Sequence, residues 1–209
     1  MIKGIFFDLD GTLINTNKLI VSSFQYVFKE NLNLMVEEQE IVQYFGEPLS
    51  YTMAKYTKDR VEELVQKYVE YSLSIHDEYT EGFEGVEEGL SYLKEKGYKL
   101  AVVTSKRRNT ALRGLRLFDL EKYFDVIISP EDTQKHKPCG EPVLKACEVL
   151  SLSPEEVLMV GDSHNDILCG RNAGSKTCLV KYTALPIEKL LDHKPDYVIE
   201  SIEDIGNII

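Results

Sequence analysis

Acidic, hydroxyl and lysine side chains follow several short apolar stretches of this chain, in positions where they could act together. The acidic members are Asp8, Asp10, Asp162 and Asp166, and the others are Thr104, Ser105, Lys106 and Lys137. Asp8 and Asp10 are separated by one residue at the end of an apolar stretch, so both side chains can lean toward the same space while Leu9 faces the core. Two crowded carboxylates repel each other, and the pKa of one rises unless a cation lies between them. Mg²⁺ suits such a site, because it prefers oxygen ligands and keeps water and phosphate oxygens in its octahedral shell.

These residue types predict phosphoryl-transfer chemistry. One carboxylate of the Asp8 and Asp10 pair would attack phosphorus and form a covalent aspartyl-phosphate. The other, with a raised pKa, would protonate the leaving oxygen and later activate water. Thr104 and Lys137 would hold the oxygens of the transferred phosphoryl group, and Asp162 would complete the coordination of the metal.

Each residue taken alone also has a purely structural explanation. Asp and Gly are ordinary turn residues, so Asp10-Gly11 could be only a turn. Asp162 and Asp166 could cap the following helix, where carboxylates accept from free backbone N–H groups. Lys137 before Pro138 could be a solvated loop lysine. The combination, in this order at successive strand ends, favours a functional site.

Six apolar stretches, rich in β-branched and aromatic residues, predict the strands that position these side chains. They are Ile2–Phe7, Leu100–Val103, Val126–Ile128, Val157–Val160, Thr177–Val180 and Tyr197–Ile199. Helical patterns lie between them, such as Val86, Leu90 and Leu93 before Gly97. Strands alternating with helices predict an α/β fold with a parallel sheet covered on both faces. Ligands of such sheets bind at the carboxyl ends of the strands, which is where the polar residues fall.

The interval between the first two strands is too long for a single crossover and carries helical patterns of its own. One pattern contains Ile20, Phe24 and Val27, and another contains Leu64 and Tyr68. We therefore divide the chain into a sheet domain, residues 1–14 and 82–209, and an inserted helical cap, residues 15–81.

Composition excludes several classes of function. The chain has 24 Lys and Arg against 35 Asp and Glu, a formal net charge of −11, which argues against binding nucleic acid or an anionic membrane. No apolar run approaches a bilayer span, and the N-terminal residues lack the pattern of a signal peptide. We expect a soluble cytoplasmic protein with four reduced cysteines. No heptad or apolar stripe marks an interface, and we expect a monomer or a weak dimer.

The motifs resemble those of the haloacid dehalogenase superfamily over essentially the whole chain. The matching segments are Asp8-Leu9-Asp10-Gly11-Thr12-Leu13, Thr104 after a strand, Lys137-Pro138, and Gly161-Asp162-Ser163 followed by Asp166. The resemblance implies a Rossmann-like core with a helical cap inserted after the first motif. It implies that Asp8 is the nucleophile and a Mg²⁺ ligand, that Asp10 is the general acid and base and binds Mg²⁺ through its backbone carbonyl, and that Asp162 is a further ligand.

The same resemblance assigns supporting roles. Asp166 would support the metal, and Thr104 and Lys137 would bind phosphate. Further substrate contacts are expected from Gly11, Thr12, Ser105, Lys106 and, in the cap, Gly46.

Within the superfamily the sequence is most similar to the phosphoglycolate-phosphatase-like branch and, inside it, to the bacterial inorganic pyrophosphatases. The segments that carry this similarity are Phe7 to Asn17, Gly46-Glu47-Pro48-Leu49, Glu141 to Leu144 and Met159 to Asp162. The similarity implies hydrolysis of pyrophosphate. One departure stands at Cys139-Gly140, where relatives have Asp-Pro, and we expect it to loosen the loop that carries Lys137.

Other activities stay open on this scaffold. A phosphatase for phosphoglycolate or another small phosphomonoester would use the same residues. A mutase related to β-phosphoglucomutase would need basic residues in the cap, and the segment Tyr44 to Tyr51 has none. A true dehalogenase would not need Asp10. A non-catalytic module phosphorylated at one aspartate would gain nothing from a cap of this size.

Overall fold

A computed structural model gives the structure of the protein and describes all residues from 1 to 209. The chain forms two compact units, one of residues 1–15 and 82–209 and the other of residues 16–81. None of the helices combines the length and the apolar composition that a membrane-spanning segment requires.

The larger unit is built on a six-stranded sheet, whose strands are β1 (Gly4–Phe7), β4 (Lys99–Val103), β5 (Val126–Ile128), β6 (Val157–Gly161), β7 (Lys176–Val180) and β8 (Tyr197–Ile199). They lie side by side in the order β5-β4-β1-β6-β7-β8. All neighbouring strands are parallel. Each of the six predicted strands is therefore confirmed, with the first one beginning at Gly4 rather than Ile2.

Helices connect the strands of this unit. They are α5 (Val86–Glu95), α6 (Arg108–Leu117), α7 (Glu141–Leu150), α8 (His164–Ala173) and α9 (Ile187–Leu191), with short 3-10 turns at Glu121–Tyr123, Pro130–Asp132, Pro154–Glu156 and Ile202–Asn207. A separate two-stranded sheet pairs β2 (Ile14–Asn15) with β3 (Glu81–Gly82).

Burial on both faces of the sheet explains why its strands are continuously apolar. Ile5 and Phe7 of β1 lie in a core with Leu90 of α5, whereas Phe6 lies in a second core with Val143 of α7. Successive side chains of a strand point to opposite faces, so each face needs its own apolar layer. The predicted parallel sheet with helices on both faces is confirmed.

The smaller unit consists of four helices, α1 (Asn17–Leu32), α2 (Glu38–Val42), α3 (Leu49–Ala54) and α4 (Val61–Ile75). Its core is aromatic: Phe24 of α1 packs on Tyr68 of α4 with ring centroids 4.7 Å apart, and Phe28 packs on Tyr56 at 4.3 Å. This unit supplies the helical portion that the sequence predicts for the interval after β1.

Candidate active site

The register of the sheet brings the predicted residues to one edge. Phe7 lies opposite both Val102 and Val160, so Asp8 and the residues after β4 and β6 leave the sheet at the same level. The Asp8 backbone N–H donates to the Val160 carbonyl at 2.9 Å, which fixes the start of the loop after β1.

Three carboxylates meet at this edge. Asp8, Asp162 and Asp166 are buried, and each offers an oxygen within 4.8 Å of the others. The donor set consists only of carboxylate oxygens, which is the set that a hard divalent cation prefers. The cluster therefore fits a metal ion of the Mg²⁺ type.

Lys137 lies between two of these carboxylates. Its Nζ is 2.7 Å from Asp8 Oδ1 and 2.6 Å from Asp166 Oδ1, and its side chain is only 4% exposed. The interpretation of Lys137 as a solvated loop lysine is therefore wrong. A buried ammonium group held at fixed carboxylates is suited to binding the oxygens of a phosphoryl group.

The loop that carries Lys137 is held in place, contrary to the expectation that Cys139-Gly140 loosens it. The Cys139 N–H donates to the His136 carbonyl at 2.9 Å, and Asn172 Nδ2 donates to the Pro138 carbonyl at 2.9 Å. A Cβ atom on Gly140 would lie 2.5 Å from the Ala173 nitrogen. Glycine at this position thus lets the start of α7 pack directly against the end of α8.

Asp166 combines a structural and a candidate functional role. Its Oδ2 accepts hydrogen bonds from the Ser163 N–H at 3.1 Å and the Ser163 hydroxyl at 2.6 Å, which caps α8. Its other oxygen faces Lys137. The capping explanation therefore holds for Asp166, whereas Asp162 precedes the cap residue Ser163 and accepts instead from the Thr183 hydroxyl at 3.3 Å.

The loop after β1 approaches Asp162 closely. Gly11 has a φ of +81°, and a Cβ there would lie 2.4 Å from Asp162 Oδ2. Thr12 is fully buried, its hydroxyl has no hydrogen-bond partner, and its carbonyl accepts from the Tyr182 hydroxyl at 2.8 Å. Gly11 and Thr12 thus shape the loop, and a direct contact of either residue with substrate stays a prediction.

Asp10 lies outside the three-carboxylate cluster and forms a second charged pair. Its Oδ1 is 2.6 Å from Lys106 Nζ, with side chains 25% and 14% exposed. The Lys106 N–H donates to Thr104 Oγ1 at 3.0 Å, which ties this loop to the end of β4. Ser105 is exposed beside them.

Gly46, the predicted substrate contact of the cap, lies in the helical unit. It is an exposed residue between α2 and α3, with a φ of +81°. Its contact with substrate stays a prediction.

Burial and crowding shift the ionisation of the cluster. Burial, followed by the charges of Asp166 and Asp10, raises the pKa of Asp8 to about 7, against the lowering effect of Lys137. Burial and the charges of Asp166 and Asp8 raise the pKa of Asp162 well above its ordinary value. Burial alone would lower the pKa of Lys137, but Asp166 and Asp8 outweigh it and raise that pKa. The site thus has an excess of negative charge that a divalent cation would balance.

Two neighbours of the site were missed at the level of sequence. Tyr182 and Thr183 follow β7, which ends at the same edge, and they hold the Thr12 carbonyl and the Asp162 carboxylate. The signal that could have found them is their position after a predicted strand.

Comparison with known proteins identifies the family. Residues 5–180 match the family described as Haloacid dehalogenase-like hydrolase. The chain belongs to the haloacid dehalogenase-like hydrolases. The predicted family and the prediction of an enzyme are confirmed.

This hydrolase has close relatives along its whole length. A relative from Clostridium perfringens is 51% identical over 209 residues, which is 100% of this chain and 98% of the relative. Proteins named pyrophosphatase PpaX from Bacillus mycoides and Halalkalibacterium halodurans are 41% and 42% identical over 208 residues, covering 100% of this chain and 97% of each relative.

Solved structures share the fold of this chain. A haloacid dehalogenase-like hydrolase from Streptococcus pneumoniae superposes with a TM-score of 0.90 at 27% identity, covering 99% of this chain and 98% of that one. A structure titled as a predicted phosphoglycolate phosphatase from Haemophilus somnus has a TM-score of 0.89 at 27% identity, covering 99% and 97%.

Proposed function

We propose that this hydrolase is a Mg²⁺-dependent inorganic pyrophosphatase that acts through an aspartyl-phosphate on Asp8. The observation that carries the proposal is the cluster of Asp8, Asp162 and Asp166 with Lys137 held between two of the carboxylates. The full-length relatives named pyrophosphatase support the choice of substrate.

The proposed reaction gives each of these side chains one role. A carboxylate oxygen of Asp8 forms a bond to one phosphorus of pyrophosphate, and the bond from that phosphorus to the bridging oxygen breaks. Lys137 and Thr104 hold the oxygens of the transferred phosphoryl group. Asp10 donates a proton to the leaving oxygen and then removes one from the water that attacks phosphorus, which breaks the bond to Asp8. When bound at the three carboxylates, Mg²⁺ would neutralise charge on the phosphoryl oxygens and lower the repulsion toward Asp8.

We infer that the helical unit acts as a cap that covers the site during turnover. Its helices pack around a core of their own. A lid needs such a core in order to move as one body. Gly46 lies in the segment between α2 and α3 where we place a substrate contact. We infer that the substrate is a small phosphate compound rather than nucleic acid, which the net charge of −11 disfavours, and we place the protein in the cytoplasm.

A phosphomonoester phosphatase is the second candidate function. It is favoured by the solved structure titled as a predicted phosphoglycolate phosphatase. That structure is 27% identical to this chain, whereas the named pyrophosphatases are 41% and 42% identical, which favours pyrophosphate.

Phosphate release from a panel of substrates tests the proposal. The panel contains pyrophosphate, phosphoglycolate, a sugar phosphate and nitrophenyl phosphate, each assayed with Mg²⁺ and with chelator. We expect pyrophosphate to lead by more than tenfold in kcat/KM and chelator to abolish activity. A metal-dependent enzyme that prefers a monoester would overturn the substrate, and activity unaffected by chelator would overturn the metal site.

A further inference from the structure

The two lysines at the carboxyl edge of the sheet have different surroundings. The Lys137 ammonium group lies between Asp8 and Asp166. It is therefore next to Asp8, the proposed nucleophile. The Lys106 ammonium group lies 2.6 Å from Asp10 Oδ1, and the Lys106 side chain is 14% exposed, against 4% for that of Lys137. The site thus has one cation for the nucleophile and a separate cation at the acid.

Lys106 differs from the other basic residues of its loop. Arg107 is exposed, and Arg108 contacts Asp132 and the Ile127 carbonyl. Lys106 reaches from the loop after β4 to the loop after β1, and its backbone is fixed by the bond from its N–H to Thr104 Oγ1. Of the basic run Lys106 to Arg108, only Lys106 therefore contacts a residue of the proposed mechanism.

The position of Asp10 determines what Lys106 can contact. Asp10 transfers a proton to the leaving oxygen, so a cation in contact with its carboxylate lies on the leaving-group side of the phosphorus. The leaving group of pyrophosphate is a phosphate anion, whereas an ordinary monoester releases a neutral alcohol. A partly desolvated ammonium group stabilises the anion far more than the alcohol.

We propose that Lys106 is the specificity-determining residue of this enzyme. Its ammonium group leaves the Asp10 carboxylate when substrate binds and contacts the leaving phosphate instead. This inference rests on the proposed function. It assigns the substrate class as compounds with an anionic leaving group next to the transferred phosphoryl group, of which pyrophosphate is the smallest.

Substitutions at Lys106 separate this role from a structural one. The variants are Lys106→Gln, which removes the charge, Lys106→Met, which also removes hydrogen bonding, and Lys106→Arg, which retains the charge. Lys176→Gln is the matched control. Lys176 is the first residue of β7, at the end of the strand opposite to the site, and it pairs there with Asp196. Thermal melting establishes which variants are folded.

The readout is kcat/KM for pyrophosphate and for an alkyl phosphate, whose leaving group is a neutral alcohol, at fixed Mg²⁺. Loss of one preorganised charged contact to the leaving group lowers kcat/KM for pyrophosphate about 100-fold, and the loss on the alkyl phosphate stays below about tenfold. Lys106→Arg recovers most of the activity on pyrophosphate, and Lys176→Gln leaves kcat/KM unchanged for both substrates. Weaker product inhibition by phosphate in Lys106→Gln is expected as well.

Equal losses on both substrates would overturn the inference, since Lys106 would then only orient Asp10. That result leaves the proposed function intact as long as the unchanged enzyme prefers pyrophosphate. An unchanged enzyme that fails to hydrolyse pyrophosphate would overturn the proposed function, and the role of Lys106 with it, before any variant is compared.

Discussion

Replacing Asp162 by Asn is expected to stabilise the metal-free protein while abolishing its response to Mg²⁺. Asp162 is buried within 4.8 Å of two other carboxylates, and its recorded hydrogen bond is a long one, 3.3 Å from the Thr183 hydroxyl. The ammonium group in the cluster, that of Lys137, contacts Asp8 and Asp166 instead. Asparagine is nearly isosteric with aspartate, so the substitution removes charge and leaves the packing in place.

The size of the effect follows from the geometry. At 4.8 Å and an effective dielectric constant of about 20, one pair of like charges costs about 3 kcal/mol. Asp162 faces two carboxylates and one ammonium group, so about one such repulsion remains uncompensated. Relaxation and partial protonation reduce the gain to about 1–3 kcal/mol, which raises Tm by roughly 3–10 °C in a chain of this size.

Differential scanning calorimetry in chelator and in Mg²⁺ measures both effects. Asp196→Asn is the control, and it should change Tm in the opposite direction. Burial opposes the ionisation of Asp196, but its hydrogen bonds with Lys176 and Thr177 outweigh burial and lower its pKa. Removal of this charge should therefore lower Tm. A metal-free Asp162→Asn protein that melts below the unchanged protein would refute the repulsion argument. Equal stabilisation of both proteins by Mg²⁺ would refute the assignment of Asp162 as a metal ligand.

Three further predictions concern pH, the acid and the Lys137 loop. The pKa of Asp8 rises from 3.8 to about 7 on folding, so the folded metal-free protein binds this proton more tightly than the unfolded chain. Its free energy of unfolding should therefore fall as the pH rises through that window. Denaturant titrations from pH 4 to 8 measure the fall, and the Asp8→Asn variant, which should show a weaker fall, is the control. Asp10→Asn should reduce kcat about 100-fold for an alkyl phosphate and much less for nitrophenyl phosphate, whose leaving group needs little protonation, and equal losses would contradict an acid role. Gly140→Ala should lower both Tm and activity, because the new Cβ would collide with the backbone of Ala173. Gly97→Ala, at an open position with positive φ, should lower Tm alone and is the control. Unchanged activity in Gly140→Ala would show that the loop tolerates the shift.

Much of the sheet and the acidic cluster could be predicted because their signals are local. A run such as Val157 to Val160 is apolar at every position because both faces of β6 are buried. The order of strands and polar ends then places Asp8 and Asp162 at one edge without knowledge of any contact.

The features that escaped prediction depend on contacts between distant parts of the chain. The expected loosening at Cys139-Gly140 is wrong because the requirement for glycine comes from the backbone of Asn172 and Ala173, at the C-terminal end of α8. The ion pair of Asp10 with Lys106 joins residues from two loops. A substrate contact is expected from Thr12 in its polar motif, and only the structure shows that the surrounding core buries this residue completely.

The most direct test of the central claim is to trap phosphate on Asp8. The protein is mixed with pyrophosphate and Mg²⁺, quenched in acid, reduced with borohydride and digested, and the peptide that contains residue 8 is examined by mass spectrometry. An aspartyl-phosphate is reduced to homoserine, so the account predicts homoserine at position 8 in the presence of pyrophosphate and Mg²⁺, and unmodified Asp8 when chelator is present. Modification of another carboxylate, or turnover of pyrophosphate with Asp8 unmodified at every quench time, would contradict it.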